Sequence, residues 1–230
     1  MLSIILPTKN RPDQLNKFVD SIFDTAESTK DIEICFYIDD DDSSSIPVIE
    51  KTATRISTQA ISGNLKIGSH MYNELYRIAT GELFMFAADD IAFRTKGWDT
   101  IVSKEFDKYN DKILFVYGED GFQHGRIGTH GFLHNNWIET VGYILPPKLA
   151  SSYTDEWITE LAIRVKRKCY IPDLLIEHFH PAAGKAPTDT TYTQRTEMDG
   201  DLALLYKSLE SDRCEDAKKL NQFIEEFKPL

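Results

Sequence analysis

Apolar positions follow two different periods over the first hundred residues. Short apolar or alternating runs at residues 3–6, 32–38 and 83–88 predict buried strands. Residues 13–23 and 68–79 instead repeat their apolar side chains every three to four positions, which predicts helices; we expect Asp13 to cap the first one. This β-α-β-α order predicts an α/β fold with a mostly parallel central sheet flanked by helices.

The remaining pattern is less regular. It predicts helices at residues 46–58, 100–109 and 153–166, strands at 113–117 and 174–179, and a helical C-terminal stretch from residue 195. Residues 118–136 carry five glycines and three histidines, a composition that predicts a site-forming loop rather than regular structure.

Composition narrows the class of protein. The three cysteines are far apart and lack metal-binding spacing, which argues against a disulfide framework or zinc site and favours a reducing, cytoplasmic setting. No apolar run approaches transmembrane length, so we expect no membrane partner. The net charge of −11 disfavours broad nucleic-acid binding, although residues 164–168 form one basic cluster.

Two adjacent carboxylates, Asp89 and Asp90, end the apolar run at residues 83–88. Burying carboxylates beside a strand is costly unless they are compensated. A hard divalent cation compensates them well, because carboxylate oxygens are its preferred ligands. Ligands of open α/β sheets bind at the carboxyl ends of strands. The pair therefore predicts a metal site at that edge of the sheet.

Four ordered stretches resemble a GT-A-fold glycosyltransferase of family 2. They are residues 2–12 (LSIILPTKNRP), 37–40 (YIDD), 64–81 (beginning NLKIG) and 87–90 (AADD). The resemblance covers roughly the first hundred residues. It implies one GT-A-like domain over residues 1–195, with a nucleotide-binding half at 1–90 and an acceptor and metal half at 91–195. A helical segment at 196–230 follows.

The resemblance also implies ligands for a nucleotide-sugar donor. The expected donor-binding residues are Pro7, Thr8, Asn10, Arg11, Asp39, Lys66, Gly68, Asn73, Asp89 and Lys185. Thr8, Arg11 and Asp39 would hold the nucleotide, and Lys185 would reach the diphosphate, unless it is simply a solvated lysine in a loop.

The expected metal set combines carboxylates and imidazoles. Many family members read Asp-x-Asp-Asp where this chain reads Ala87-Ala88-Asp89-Asp90, so the first acid is missing. We favour Asp89 as the metal ligand, with Asp90 as its rival. His178 and His180 share a strand face, and the resemblance supports a C-terminal histidine ligand. Such a mixed set favours manganese over magnesium.

The catalytic base is expected in the acidic pair Asp155-Glu156, with Asp155 first, Glu156 second and Glu139 as a weaker candidate. The competing interpretation is that the pair only complements a helix dipole. The other side chains of the glycine-rich region and its surroundings, His130, His134 and Trp137, are each expected to be structural.

The implied function is metal-dependent, inverting transfer of a sugar from a UDP-sugar to an acceptor hydroxyl. The pattern also resembles small virus-encoded enzymes, some of which glycosylate hydroxymethylated bases in DNA, which would place the protein in a host cytoplasm. A glycan or small-molecule acceptor is the alternative. Two further hypotheses are a sugar nucleotidyltransferase and a non-catalytic nucleotide-sugar-binding module. Nothing in the sequence indicates an oligomeric state.

Overall fold

The computed structural model describes residues 1–65, 67–150, 152–181, 184–185 and 200–227. Its strands are β1 (Leu2–Thr8), β2 (Ile32–Asp39), β3 (Ser57–Gly63), β4 (Leu83–Phe86), β5 (Ile91–Phe93), β6 (Phe115–Glu119), β7 (Gly131–His134) and β8 (Lys168–His178). Its helices are α1 (Pro12–Thr25), α2 (Ile46–Ala53), α3 (Gly68–Ile78), α4 (Trp98–Asp107), α5 (Asn135–Val141), α6 (Thr154–Arg164) and α7 (Glu210–Glu226), with a 3-10 turn at Thr29–Asp31 and further helical residues at 200–208.

The strands form one sheet in the order β3-β2-β1-β4-β7-β6-β8-β5. Strands β3, β2, β1 and β4 are parallel, and β8 is parallel to β6. Strand β7 is antiparallel to both β4 and β6, so β4 and β6 run the same way. The carboxyl ends of β1, β2, β4, β6 and β8 therefore meet at one edge, and the expected α/β architecture is confirmed.

Two apolar cores cover the two faces of the sheet. Helices α1, α2 and α4 bury side chains such as Phe18, Ile49 and Trp98 on one face. Helices α3, α5, α6 and α7 cover the other face, where Trp137 and Trp157 are almost fully buried. Both faces of β1, β2 and β4 are thus covered by helices, which explains their nearly continuous apolar sequences.

Several elements differ from the sequence-based expectation. The helix predicted over residues 46–58 ends at Ala53, and β3 follows as a polar edge strand. The region predicted as a loop over 118–136 contains β7 and the start of α5, and β5 was not expected at all. Helix α1 starts with Pro12 at its first turn after Arg11, so Asp13 is not its cap. Proline suits this position because its missing N–H has no helical partner there.

Strand β8 carries an irregularity beside the carboxyl end of β6. Gly118 lies opposite Ile171, whereas the next residue, Glu119, lies opposite Leu175, so residues 172–174 have no counterpart in β6. A Cβ at Gly118 would lie 2.1 Å from the backbone oxygen of Leu174, so the close approach of the two strands requires glycine.

The three inserted residues reverse the facing of β8. Cys169 and Ile171 before the irregularity contact the same core as Leu174 and Ile176 after it. Side chains alternate between faces along a strand, so an odd insertion exchanges the two sets. His178 follows in the alternation set by Leu174 and Ile176, and its side chain is buried. The irregularity therefore decides which way His178 points.

The C-terminal helix α7 packs on α5 and α6. Arg213 is buried in this contact, where it pairs with Glu160 of α6 and lies 3.9 Å from the ring centre of Tyr206. The predicted division between a domain and a C-terminal segment at residue 195 lies outside the described residues and stays a prediction. Among the described helices, none is both long and apolar enough to cross a membrane.

Candidate functional site

Asp89 lies buried at the carboxyl edge of the sheet, directly after β4 and its two alanines. Its carboxylate accepts a hydrogen bond from the Thr8 hydroxyl at 2.9 Å and pairs with the Arg11 guanidinium at 3.1 Å. Burial raises the pKa of Asp89 to about 6, with a further increase from neighbouring Asp90, against the lowering effect of Arg11. Asp89 thus connects the β4 end to the loop after β1, as expected for residues that share one ligand.

This buried acid makes a testable pH prediction. Its folded-state pKa lies above the ordinary value of 3.8, so its charge costs stability as pH rises through about 4 to about 6. Relative to wild type, Asp89→Asn should gain about 3 kcal/mol of unfolding free energy between pH 4 and pH 7. Urea unfolding of both metal-free proteins across that range measures the difference. If the difference in unfolding free energy between the two proteins does not change with pH, the raised pKa of Asp89 is contradicted.

A second group of ligand atoms lies beside Asp89. Asp90, His130 and His178 each offer one ligand atom, and these atoms lie within 4.8 Å of one another. His178 Nε2 is 3.6 Å from Asp90 Oδ1. Pairing of β5 with β8 places Ile91 opposite His178, and the Phe179 N–H donates to the Asp90 carbonyl at 2.8 Å. One carboxylate and two imidazoles form a donor set that suits a divalent transition metal.

His180 lies close to this group and makes a different contact. Its ring stacks on Phe122, with ring centres 4.5 Å apart and planes 10° apart. The ring of His178 lies 5.1 Å from that of His180 and 4.7 Å from that of His130. Of the two histidines expected from the sequence, His178 therefore joins the possible metal group, and His180 stacks beside it.

The loop after β1 contacts the acids after β2. Lys9 Nζ lies 2.9 Å from carboxylate oxygens of Asp39 and Asp41, and its hydrogen bond to Asp39 contributes most to raising its pKa. The Asn10 N–H donates to Asp42 Oδ2 at 2.8 Å. Asp39 is buried at the end of β2, so Lys9 connects the loop after β1 to the acid expected to hold the nucleotide.

Other expected donor-binding residues contribute to the framework. Pro7 lies in β1 opposite Tyr37, and Gly68 starts α3. The Asn73 side chain donates to the Leu145 carbonyl at 2.8 Å and accepts from the Ile144 N–H at 3.0 Å, so it fixes that backbone segment. Lys66 lies outside the described residues.

Lys185 pairs with an acid on the far side of β8. Its Nζ lies 3.2 Å from Glu177, which also pairs with Arg94 at 2.9 Å. Glu177 precedes His178 on the strand and faces the opposite way. A Cβ on Gly121 would lie 2.7 Å from Lys185 Nζ, so the lysine also approaches the loop that follows β6.

Asp155 and Glu156 occupy the first turn of α6, where both are half-buried. Helix α6 ends at Arg164 and β8 begins at Lys168, so the helix returns along the sheet and directs its first turn toward the carboxyl edge. The Gly128 N–H donates to Thr159 at 3.1 Å, which links α6 to the loop before His130. The direction of α6 therefore predicts that the acidic pair lies toward the carboxyl edge of the sheet.

The sequence-based interpretation missed His130 as a possible ligand. The histidine-rich and glycine-rich composition of residues 118–136 identified the region, but not which histidine matters. His134 caps α5 by accepting from the Asn136 N–H at 3.0 Å, and Trp137 is buried in the core, so both have structural roles. His130 directly precedes β7, and the pairing of β7 between β4 and β6 brings it to Asp90.

Comparisons with known proteins agree with this fold. The family model described as glycosyl transferase family 2 matches residues 3–145. The mannosyltransferase PcManGT from Pyrobaculum calidifontis, in complex with GDP-Man and Mn²⁺, matches with a TM-score of 0.64 and 13% identity, covering 96% of this chain and 86% of that chain. No curated protein sequence matches the chain.

The S. aureus protein TarS is a second structural relative. It matches at 12% identity and a TM-score of 0.60 over 77% of this chain, which spans 36% of the TarS chain. TarS 1–349 in complex with UDP-GlcNAc matches at 12% identity and a TM-score of 0.61, covering 81% of this chain and 61% of that chain. At such identities the likeness shows the fold, and it confirms the expected GT-A-type architecture.

Proposed function

The chain belongs to glycosyl transferase family 2. We propose that it uses a divalent metal to transfer a sugar from a nucleotide-diphosphate sugar to a hydroxyl group. One observation carries the proposal. Ligand atoms of Asp90, His130 and His178 cluster at the carboxyl edge of the sheet, beside Asp89 with its Thr8 and Arg11 partners. This edge is where α/β folds bind nucleotides.

We assign the donor to the UDP-sugars. The support is the resemblance of Asp39 to the uracil-contacting acid of the family, together with its burial at the end of β2. Among the structural relatives, one structure contains UDP-GlcNAc and another contains GDP-Man. Guanine is therefore the competing base, and an experiment on the donor must include both UDP-sugars and GDP-sugars.

The transfer step follows from the placement of charged groups. When bound, the metal supplies positive charge that stabilises the leaving diphosphate. Arg11 lies beside Asp89 and adds a fixed cation to the same region. Asp155 takes the proton of the acceptor hydroxyl as its oxygen bonds to the anomeric carbon. The bond from that carbon to the diphosphate breaks, its electron pair leaves on the diphosphate oxygen, and the configuration inverts.

For the acceptor we favour a glycan or small-molecule hydroxyl over DNA. The basic cluster at 164–168 is largely engaged within the protein: Arg164 with Glu160 and Glu210, and Arg167 with Asp111. The net charge of −11 also opposes a polyanionic acceptor. A DNA acceptor would instead make turnover fall steeply as salt increases.

A thermal-shift panel of nucleotide sugars, with and without Mn²⁺, tests the proposal. We expect a UDP-sugar to raise the melting temperature, and Mn²⁺ to increase that shift, because ligands that bind only the folded state stabilise it. If a GDP-sugar raises the melting temperature more than a UDP-sugar does, the donor is a GDP-sugar. Release of pyrophosphate from a nucleoside triphosphate and a sugar phosphate would indicate a nucleotidyltransferase. Binding without release of nucleotide diphosphate, across a broad panel of acceptors, would indicate a binding module.

A further inference from the structure

Asp120 follows β6 at the same edge and is buried. Its Oδ1 accepts three backbone N–H groups, from Phe122 at 2.8 Å, Gln123 at 2.7 Å and His124 at 3.0 Å. Its Oδ2 accepts the Thr129 hydroxyl at 2.9 Å. Burial alone would raise the pKa of Asp120, but these donors outweigh it and lower the pKa, so the side chain is a carboxylate. These four donors engage both carboxylate oxygens, although a ligand atom of Asp120 also lies within 4.8 Å of ligand atoms of Glu119 and His124.

These contacts reach both histidines of the possible metal group. Thr129, which bonds to the side chain, directly precedes His130 in the chain. The backbone oxygen of Asp120 accepts the N–H of His178 at 2.9 Å. One residue is therefore bonded to the backbone of one histidine and to the neighbour of the other.

The contact between His178 and Asp120 lies just beyond an interruption of the β6–β8 pairing. Regular pairing of β6 with β8 is interrupted at Gly118, and residues 172–174 loop out of the ladder. Beyond that interruption, β8 is held on one side by its pairing with β5 and on the other by the bond from the His178 N–H to the Asp120 carbonyl. The loop at residues 121–129 has no regular secondary structure, so the Asp120 carboxylate determines much of its path to His130.

We propose that Asp120 is a positioning residue that sets the spacing between His130 and His178. The inference rests on the proposed function, because it concerns the metal site assigned there. Residues that orient metal ligands without touching the metal change its affinity by about 10- to 100-fold when they are replaced. Asp120 touches neither metal nor substrate and acts through the backbone of its neighbours.

The test measures metal affinity in the 230-residue chain and in three variants of it. Asp120→Ala should weaken Mn²⁺ binding by about 10- to 100-fold and alter the visible absorption of bound Co²⁺. Asp120→Asn should recover most of the affinity, since its amide oxygen can still accept the three N–H groups. Asp111→Ala is the control: Asp111 is a buried acid before β6, at the strand's other end, and it accepts the Ile113 N–H at 2.8 Å. The Asp111→Ala variant should be less stable than the wild type but bind Mn²⁺ with the same affinity.

Three results would overturn the inference, each in a different way. Wild-type Mn²⁺ affinity and an unchanged Co²⁺ spectrum in Asp120→Ala would remove the positioning role and leave the metal site intact. If Asp111→Ala loses as much Mn²⁺ affinity as Asp120→Ala, the loss reflects lower stability of the protein and not positioning of the histidines. A wild-type protein that binds neither ion would overturn the proposed metal site, and the positioning role with it. If Asp120→Ala fails to fold, Thr129→Val should still lower affinity about tenfold, and unchanged affinity there would overturn the role.

Discussion

Asp90→Asn is expected to lower metal-dependent sugar transfer on the order of 10³-fold. The metal contributes several kcal/mol of charge stabilisation to the leaving diphosphate, and asparagine offers a neutral amide oxygen in place of the carboxylate. Asp90 is buried, and its Oδ1 lies 3.6 Å from His178 Nε2, so it supplies the carboxylate of the proposed metal group. Initial rates with saturating UDP-sugar and increasing Mn²⁺ measure the loss, which added Mn²⁺ should restore only in part.

Two further variants show whether that loss is specific to the metal group. Asp24→Asn removes an exposed carboxylate on α1 and should leave the rate unchanged. His70→Ala removes a half-buried imidazole that contacts only the Pro147 carbonyl among the hydrogen bonds described, and it provides the same control for His178→Ala. Full activity in Asp90→Asn together with loss in Asp89→Asn would transfer the ligand role to Asp89, as the sequence first suggested.

Asp155→Asn is expected to lower kcat by about 10²- to 10⁴-fold with little effect on donor binding. A general base contributes that much to transfer of a proton from a hydroxyl, and the amide cannot accept the proton. Loss of an acid from the first turn of α6 should cost only about 0.3–1 kcal/mol of stability. Steady-state kinetics with varied acceptor, together with melting temperatures with and without UDP and Mn²⁺, separate the two effects.

Glu156→Gln is the matched control because it changes the next carboxylate in the same helical turn. It should retain most of the activity. A large loss in Glu156→Gln with activity retained in Asp155→Asn would move the base to Glu156. If both variants show only small changes in melting temperature and no change in kcat, then Asp155 and Glu156 merely complement the dipole of α6, the alternative that the sequence left open.

The sequence was sufficient where parallel strands lie within longer apolar or alternating runs. Strands β1, β2 and β4 each show an apolar run that ends in polar side chains, and parallel strands deliver those ends to one edge. The contacts of Thr8 and Arg11 with Asp89 follow from that rule, although about eighty positions separate them in the chain. Here local pattern and global topology give the same answer.

The sequence was insufficient where short strands depend on distant partners. Strands β5 and β7 have three and four residues, too few for a periodic signal, and both form by pairing with strands far away in the chain. The position of His130 depends on β7, and the facing of His178 depends on the residues inserted into β8. Neither can be deduced from spacing, because an odd insertion reverses every later side chain.

The most direct test of the account is release of UDP from a UDP-sugar by the wild-type protein. We expect the wild-type protein to release UDP only when Mn²⁺ is present. Excess EDTA should abolish this release, and further Mn²⁺ should restore it. His178→Ala should release little UDP under the same conditions, whereas His70→Ala should match the wild type. Release that continues unchanged in EDTA, or equal release by His178→Ala and wild type, would contradict a metal-dependent transfer centred on Asp90, His130 and His178.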